Sequence, residues 1–305
     1  MRVFVTGASG FIGSAVVREL LEAGHQVLGL ARSDRSAAAV EAAGAEVHRG
    51  DLDDLDGLRA GAAACDGVVH TAFVHDFAED AAGETDQLAV YAAAAEKDRL
   101  AIEAMGEALA GSGRPLVVSS GTVGDPDAGV LTEDTAFGRD LPRVSEQTAL
   151  PFAERGVRAS AVRLPPTVHG RGDHGFVPQL IRIARERGVS GYPGDGANRW
   201  AAVHRFDAAH LFRLAVEGAP AGTRLHAVAE EGVPVREIAE AIGRGLDVPV
   251  ASVPREAADE HFGFLALYFS RDVRASSERT RKLFDWRPEH PGLIADLDEG
   301  HYFAE

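Results

Sequence analysis

Glycines 7, 10 and 13, in Thr6-Gly7-Ala8-Ser9-Gly10-Phe11-Ile12-Gly13, stand between the β-branched run Arg2 to Thr6 and a helix pattern that Gly24 ends. In a strand–turn–helix, the first such glycine permits the tight turn and the second lets backbone amides approach a pyrophosphate. The third lets the helix pack closely on the sheet. The chemistry is that of a dinucleotide site, with Thr6, Gly7, Ser9, Gly10, Phe11, Ile12 and Gly13 around the phosphates. The form of the dinucleotide turns on the end of the second strand, Leu30-Ala31-Arg32-Ser33-Asp34-Arg35. Ala31 stands where an NAD-binding chain would carry a carboxylate for the ribose 2′-hydroxyl, and the Arg32 guanidinium, next to Ser33, suits a 2′-phosphate. The expectation is therefore NADP(H) rather than NAD(H), with Asp34 the alternative if the loop register shifts.

These residues need a scaffold that alternates strands and helices. Short runs at Arg2 to Thr6, Gln26 to Ala31, Glu46 to Arg49, Gly67 to Thr71, Pro115 to Ser119 and Ala159 to Leu164 read as strands. Between them, helix patterns run over Ile12 to Ala23, Ser36 to Ala43, Leu55 to Ala62, about Gln87 to Ala110, and Ser145 to Arg155. Six strands in a right-handed βα series predict an α/β fold with a doubly wound parallel (Rossmann) sheet. After Leu164 the repeat breaks at Pro165-Pro166, and later patterns predict helices at Phe176 to Arg187, Ala208 to Glu217 and Val235 to Gly243. A strand is expected at Arg224 to Ala229, and Ser190 to Asn198 reads as a turn-rich loop. The expected division is a nucleotide domain of residues 1–164 plus about 196–230. A smaller C-terminal substrate lobe takes about 165–195 and 231–305.

Composition narrows the partners. Lys plus Arg number 31 against 47 Asp plus Glu, a net charge of −16, which repels phosphate backbones and anionic lipid and so predicts no nucleic-acid partner. Cys65 is the sole cysteine, no Cys/His cluster has structural-zinc spacing, and no run approaches 18 apolar residues. No metal, no membrane partner and a cytoplasmic location are expected.

The spacing GxxGxxG resembles the extended branch of the short-chain dehydrogenase/reductase superfamily (NAD-dependent epimerase/dehydratase-like). The likeness continues through Gly50-Asp51-Leu52, Val69-His70-Thr71-Ala72, Val118-Ser119-Ser120, Arg163-Leu164-Pro165-Pro166 and His169-Gly170. The resemblance implies Asp51 and Leu52 beside the adenine, Thr71, Ala72 and Phe73 along ribose and nicotinamide, Ser119 at the cofactor, and Pro165 to Val168 near the carboxamide. It also implies hydride transfer, which needs a proton donor and a stabiliser of oxyanion charge. Ser119, Ser120 and Thr122 match the family's hydroxyl group, but its Tyr-x-x-x-Lys is replaced by Arg139-Asp140-Leu141-Pro142-Arg143. Arg143 can keep the positive charge of the lysine, though a guanidinium holds its proton too firmly to be a good proton donor. Candidate donors are His169 and His75, then His174 or a water held by Ser120 or Thr122. His70 reads as a buried strand-end residue, His204 as a loop organiser with Asp207, and Trp286 as a core anchor of the small lobe. The helix from Gln87 resembles the one that forms dimers in the family, implying a homodimer. The expected function is NADPH-linked reduction of a carbonyl, C=C or C=N bond in a small, rather hydrophobic substrate. The alternative is a non-catalytic NADP-binding sensor.

Overall fold

The computed structural model describes residues 1–74, 87–122, 129–136 and 143–304, apart from the side chains of Gln87, Leu88 and Phe264. The chain forms two compact units. One spans Met1–Ser120, Arg139–Arg163 and Ala209–Leu225; the other spans Gly121–Gly138, Leu164–Ala208 and His226–Glu305.

The first unit is built on a seven-stranded sheet. Its strands are β1 (Arg2–Thr6), β2 (Gln26–Ala31), β3 (Glu46–Arg49), β4 (Gly67–His70), β5 (Pro115–Gly121), β6 (Arg158–Leu164) and β10 (Thr223–His226). The order is β10-β6-β5-β4-β1-β2-β3, and the β3-β2-β1-β4-β5 run is parallel throughout. Chain order reverses at β1, so β1 and β4 part at their C-terminal ends at the topological switch point where doubly wound sheets hold ligands. Val3, Phe4 and Val5 are fully buried, the unbroken apolar run expected of a strand covered on both faces. The covering helices include α1 (Phe11–Glu22), α2 (Asp34–Ala42), α3 (Leu55–Ala63) and α4 (Gln87–Leu109). One face of α4 buries Ala94, Ala101, Ile102, Met105 and Leu109, and the carboxylate Asp98 lies in the same stripe.

A single helix was expected over Ser145 to Arg155. Instead α5 (Ser145–Ala149) tightens into a 3₁₀ segment, Leu150–Arg155, which Gly156 ends at φ +72°. Pro151 lacks the N–H that would continue the α-helical ladder, and the 3₁₀ turn accommodates its ring.

The second unit holds β7 (Thr167–His169), β8 (Ser190–Pro193), β9 (Arg199–His204), β11 (Glu230–Pro234) and β12 (Val250–Val253). β9 pairs parallel with β7 and antiparallel with β11, and β8 pairs parallel with β12. Its helices are α6 (Phe176–Arg187), most of α7 (Arg205–Gly218) lying in the other unit, α8 (Val235–Leu246), α9 (Ala258–Phe262), α10 (Ala266–Phe269), α11 (Glu278–Phe284) and α12 (Leu293–Asp298). Apolar faces of α6 and α8 close on Trp200, Phe262 and Phe269, so these aromatics are core. Trp286 is also buried, its indole N–H donating to the Asp207 carbonyl at 3.2 Å. The stretch expected as a loop, Ser190 to Asn198, contains strand β8, and its partner β12 lies some sixty residues away. Among the described residues no helix is long and apolar enough to cross a membrane.

One buried ion pair fastens the first unit internally. Arg163 on β6 and Glu146 on α5, each with a side chain 2% exposed, meet through two hydrogen bonds of 2.7 Å, and Arg224 adds a third of 2.7 Å. Burial pushes the Glu146 carboxyl up, but Arg163 and Arg224 outweigh it and hold it below the usual 4.5. Its stabilising effect is therefore present above pH 4.5 and is lost as pH falls through the lower folded value. Glu146→Gln, which removes the carboxylate charge facing the buried Arg163, is expected to cost about 3–5 kcal/mol in urea unfolding at neutral pH and to flatten the acid limb of stability. A double variant Glu146→Leu/Arg163→Met should regain most of the loss, whereas equal loss in single and double variants would contradict this account.

Candidate functional site

The turn after β1 has the shape the glycine spacing predicts. Gly7 sits at φ +69°, and a Cβ there would lie 2.8 Å from the Ala72 nitrogen and 2.9 Å from Thr71 Oγ1. A Cβ on Gly13 would stand 2.0 Å from the Gly7 carbonyl oxygen, so α1 could not begin where it does with any larger residue. The Gly10 amide donates to the Gly7 carbonyl at 2.8 Å. As N-cap of α1, Gly10 brings no side-chain acceptor, and the first turn holds no acidic residue. The positive end of the helix thus carries no anionic cap of its own, which suits a pyrophosphate. The cradle and the donor set fit a dinucleotide.

Neighbouring strand ends complete this edge. The Thr71 hydroxyl donates to the Thr6 carbonyl at 2.8 Å, and the Ala72 amide donates to Thr6 Oγ1 at 3.4 Å, which ties the end of β4 to that of β1. Asp51 accepts the amides of Asp53 (2.9 Å) and Asp54 (3.1 Å), fixing the turn that carries Leu52. After β2, Arg32 is exposed, while Ser33 is absorbed in a reciprocal capping box with Ser36 at the start of α2. Asp34 opens that helix and pairs with Arg49 at 2.8 Å.

Behind this edge runs a chain of buried polar groups. Thr6 Oγ1 and His70 Nδ1 are 2.7 Å apart, and His70 Nε2 donates to Asp98 Oδ1 at 3.0 Å. The Ser145 hydroxyl donates to Asp98 Oδ2 at 2.5 Å and accepts from Arg143 Nε at 2.9 Å. Arg143 Nη2 then donates to the carbonyl and hydroxyl oxygens of Ser119, both at 3.1 Å, and the guanidinium carbon lies 4.2 Å over the Phe73 ring. Thr6, His70 and Asp98 are fully buried. Burial pushes the Asp98 carboxyl up, but the hydrogen bond from His70, the nearby Arg143 charge and Ser145 together hold it below the usual carboxylate value. Asp98 is therefore an ionised group that accepts hydrogen bonds only, so His70 Nε2 carries a proton toward it. The arrangement holds one permanent cation, Arg143, at the C-terminal end of the parallel sheet.

The structure thus brings Thr6, Gly7, Gly10, Gly13, Thr71, Ala72, Phe73, Ser119 and Arg143 into one region of the first unit. Ser120 is buried at the end of β5. In the second unit, Thr122 is buried with its hydroxyl unpartnered, and its amide donates to the Leu164 carbonyl at 2.8 Å. There Pro165 is buried, Val168 is half-buried, and His169 is fully buried with Nδ1 at 2.8 Å from Asp296 Oδ2. His204 does not bond Asp207; it stacks on His290 at 4.7 Å, and His290 bonds Asp207 at 2.8 Å. Burial, with His169 and His290 nearby, lowers the His204 imidazole to about 4. His75 and Arg139 lie outside the described residues. Asp98 and Ser145 were not singled out from sequence, although a carboxylate at the i+4 position from Ala94 and the i−4 position from Ile102 was a visible interruption of an apolar stripe.

Comparison with known proteins carries the same signature. A family model described as "NAD dependent epimerase/dehydratase family" matches residues 3–227. A Schizosaccharomyces pombe protein, "Uncharacterized protein C2A9.02", is 51% identical over 312 residues, 99% of this chain and 100% of that one. A "2-alkyl-3-oxoalkanoate reductase" of Stenotrophomonas maltophilia is 27% identical, covering 100% of this chain and 91% of its own. Among solved structures, a dTDP-glucose 4,6-dehydratase from Streptomyces venezuelae "with NAD and TYD bound" superposes with a TM-score of 0.78 at 21% identity, covering 99% of this chain and 96% of that one.

The preference for NADP(H) is corrected by these structures: the dehydratase and other similar solved chains hold NAD. The physical reason lies at Asp34. Arg32 is not the only charge after β2, and the carboxylate that opens α2, held by Arg49, opposes a 2′-phosphate and suits a ribose hydroxyl. In place of the sensor alternative stands an enzyme, an oxidoreductase that binds its dinucleotide on a Rossmann sheet and acts on a small molecule. From its glycine turn to its switch-point edge, the chain belongs to the NAD-dependent epimerase/dehydratase family, the extended short-chain dehydrogenases/reductases.

Proposed function

We propose that this enzyme catalyses NAD(H)-linked reduction of a carbonyl group in a small, rather hydrophobic substrate, with Arg143 as its electrostatic catalyst. The observation that carries the reading is the fixed guanidinium, clamped by Ser119 and Ser145 and laid on Phe73. When bound, the dinucleotide supplies the hydride. The chain's own part is to bind the pyrophosphate at Gly7 to Gly13 and to neutralise the oxyanion charge that develops on the carbonyl oxygen. Hydride addition to a C=N bond places no negative charge on an oxygen, so a permanent cation favours the carbonyl over an imine. Arg143 stabilises charge without yielding its proton, and the proton comes from a hydroxyl or a water at Ser120. Asp98 and Ser145 act through Arg143 as positioning residues. Relatives named as reductases of oxo compounds support the choice.

A second reading, epimerisation or dehydration of a nucleotide sugar, is favoured by the names of the similar solved structures. Loss of NADH absorbance separates the two. The expected result is turnover with aldehydes and ketones, and none with imines. Failure of every carbonyl, together with conversion of UDP-glucose or dTDP-glucose at catalytic NAD, would replace the first reading with the second.

Arg143→Ala is expected to lower kcat/KM by roughly 100-fold or more, about 3 kcal/mol, with NADH affinity nearly unchanged. Arg143→Lys should restore part of the loss. Asp98→Asn, which keeps the shape but removes the charge that aligns Arg143, should lower kcat more than it raises KM. Wild-type kcat in Arg143→Ala would refute the assignment.

A further inference from the structure

The second unit contains a buried histidine that its surroundings leave without a hydrogen bond. His301 follows the turn at Gly300 (φ +81°), directly after α12, and its side chain is only 5% exposed. Neither ring nitrogen has a hydrogen-bond partner. Nε2 stands 3.7 Å from Asp296 Oδ1, and Nδ1 stands 3.8 Å from Glu299 Oε2. Both separations are too long for hydrogen bonds and leave buried polar atoms that are costly when unmade.

A contrast on the same carboxylate is informative. His169 Nδ1 closes to 2.8 Å on Asp296 Oδ2, as an imidazole does when a carboxylate is its partner. His301 does not close on Oδ1. Nε2 stays 3.7 Å from it, near the separation of two donors that share an ion, since donors on bonds of about 2.1 Å around a tetrahedral ion lie roughly 3.4 Å apart. Asp296, Glu299 and His301 each offer a ligand atom, and the three atoms lie within 4.8 Å of one another.

We propose that Asp296, Glu299 and His301 form a binding site for a divalent transition-metal cation of the zinc class, with water as the remaining ligand. Two carboxylates match a dication in charge. The imidazole selects zinc-class ions over calcium and magnesium, which prefer all-oxygen sets. The site also lies at the C-terminal end of α12, where the unpaired carbonyls favour positive charge. His169 is the outer partner that holds Asp296 in orientation, the role a hydrogen-bonded neighbour plays around many metal ligands. Glu299, 56% exposed, leaves a path for the ion and the water. A second group, His204, Asp207 and His290, has comparable spacing but is closed: Asp207 already accepts the amides of Glu289 and His290 and the His290 ring. The cation would link α12, the residues after it and, through His169, strand β7, independently of the reaction proposed above.

The test is calorimetric titration of ZnCl₂ into full-length protein stripped with a chelator, alongside Glu299→Gln and His301→Ala. The expected result is one Zn²⁺ per chain for the wild type. Binding should be at least ten-fold weaker in Glu299→Gln and lost in His301→Ala, and Zn²⁺ should raise the wild-type Tm but not that of Glu299→Gln. Glu299 is 56% exposed, so its variant is expected to fold and keeps the test decisive if His301→Ala does not. No saturable uptake by the wild type, or equal uptake by wild type and Glu299→Gln, would overturn the proposal.

Discussion

An ionised carboxylate sealed from water is costly to maintain, and Asp98 shows what this fold obtains from one. Both of its oxygens are taken, one by His70 and the other by Ser145, and Arg143 stands 4.0 Å away. From that one charge the alignment extends in two directions. Toward β4 and β1 it fixes the ring of His70, and through it the hydroxyl of Thr6, which in turn receives the Ala72 amide beside the glycine turn. Toward α5 it orients Ser145 and then Arg143, which reaches the end of β5 at Ser119. Strand ends β1, β4 and β5 are thus referenced to a single group on α4. A half-satisfied network at this depth would destabilise the unit, whereas here Thr6, His70, Asp98, Ser145, Arg143 and Ser119 each have a partner.

Much of the first unit was readable because its signals are local. Strands β1, β2 and β3 run between the residues expected, and the glycine spacing predicted both the tight turn at Gly7 and the close approach at Gly13. Local chemistry also misled: Arg32 reads as a phosphate ligand only while Asp34 is considered apart from Arg49, a residue fifteen positions on that β3 brings alongside. The same limit explains the second unit. Strand β8 is a four-residue segment rich in glycine and proline that becomes a strand only by pairing with β12, and no periodicity within it records that partner. The spacing of Asp296, Glu299 and His301 matches no metal motif either. It acquires meaning from the turn at Gly300 and from His169, 127 residues earlier.

An arginine at residue 143 brings more than a positive charge. A lysine ammonium is a point charge on a flexible stem, whereas the planar guanidinium of Arg143 uses one edge for Ser145, another for Ser119 and its face for Phe73. The cation is therefore held in orientation as well as in position. This accounts for a serine at residue 145, where a small hydroxyl can both donate to Asp98 and accept from Arg143.

The order in which the chain is made bears on the second unit. The loop after β7 is held by residues near the end of the sequence: Asp296 takes His169, and the Tyr302 phenol accepts the Gly170 amide and donates to Asp173. The segments of the first unit are all synthesised by residue 225, so that unit can acquire its core while translation continues. The β7 loop has its anchors only once residue 302 has emerged. Until then His169 lacks its carboxylate and Asp173 has only the nearby Gly175 amide, so the interval between residues 169 and 302 leaves this loop open to misfolding or to capture by a chaperone.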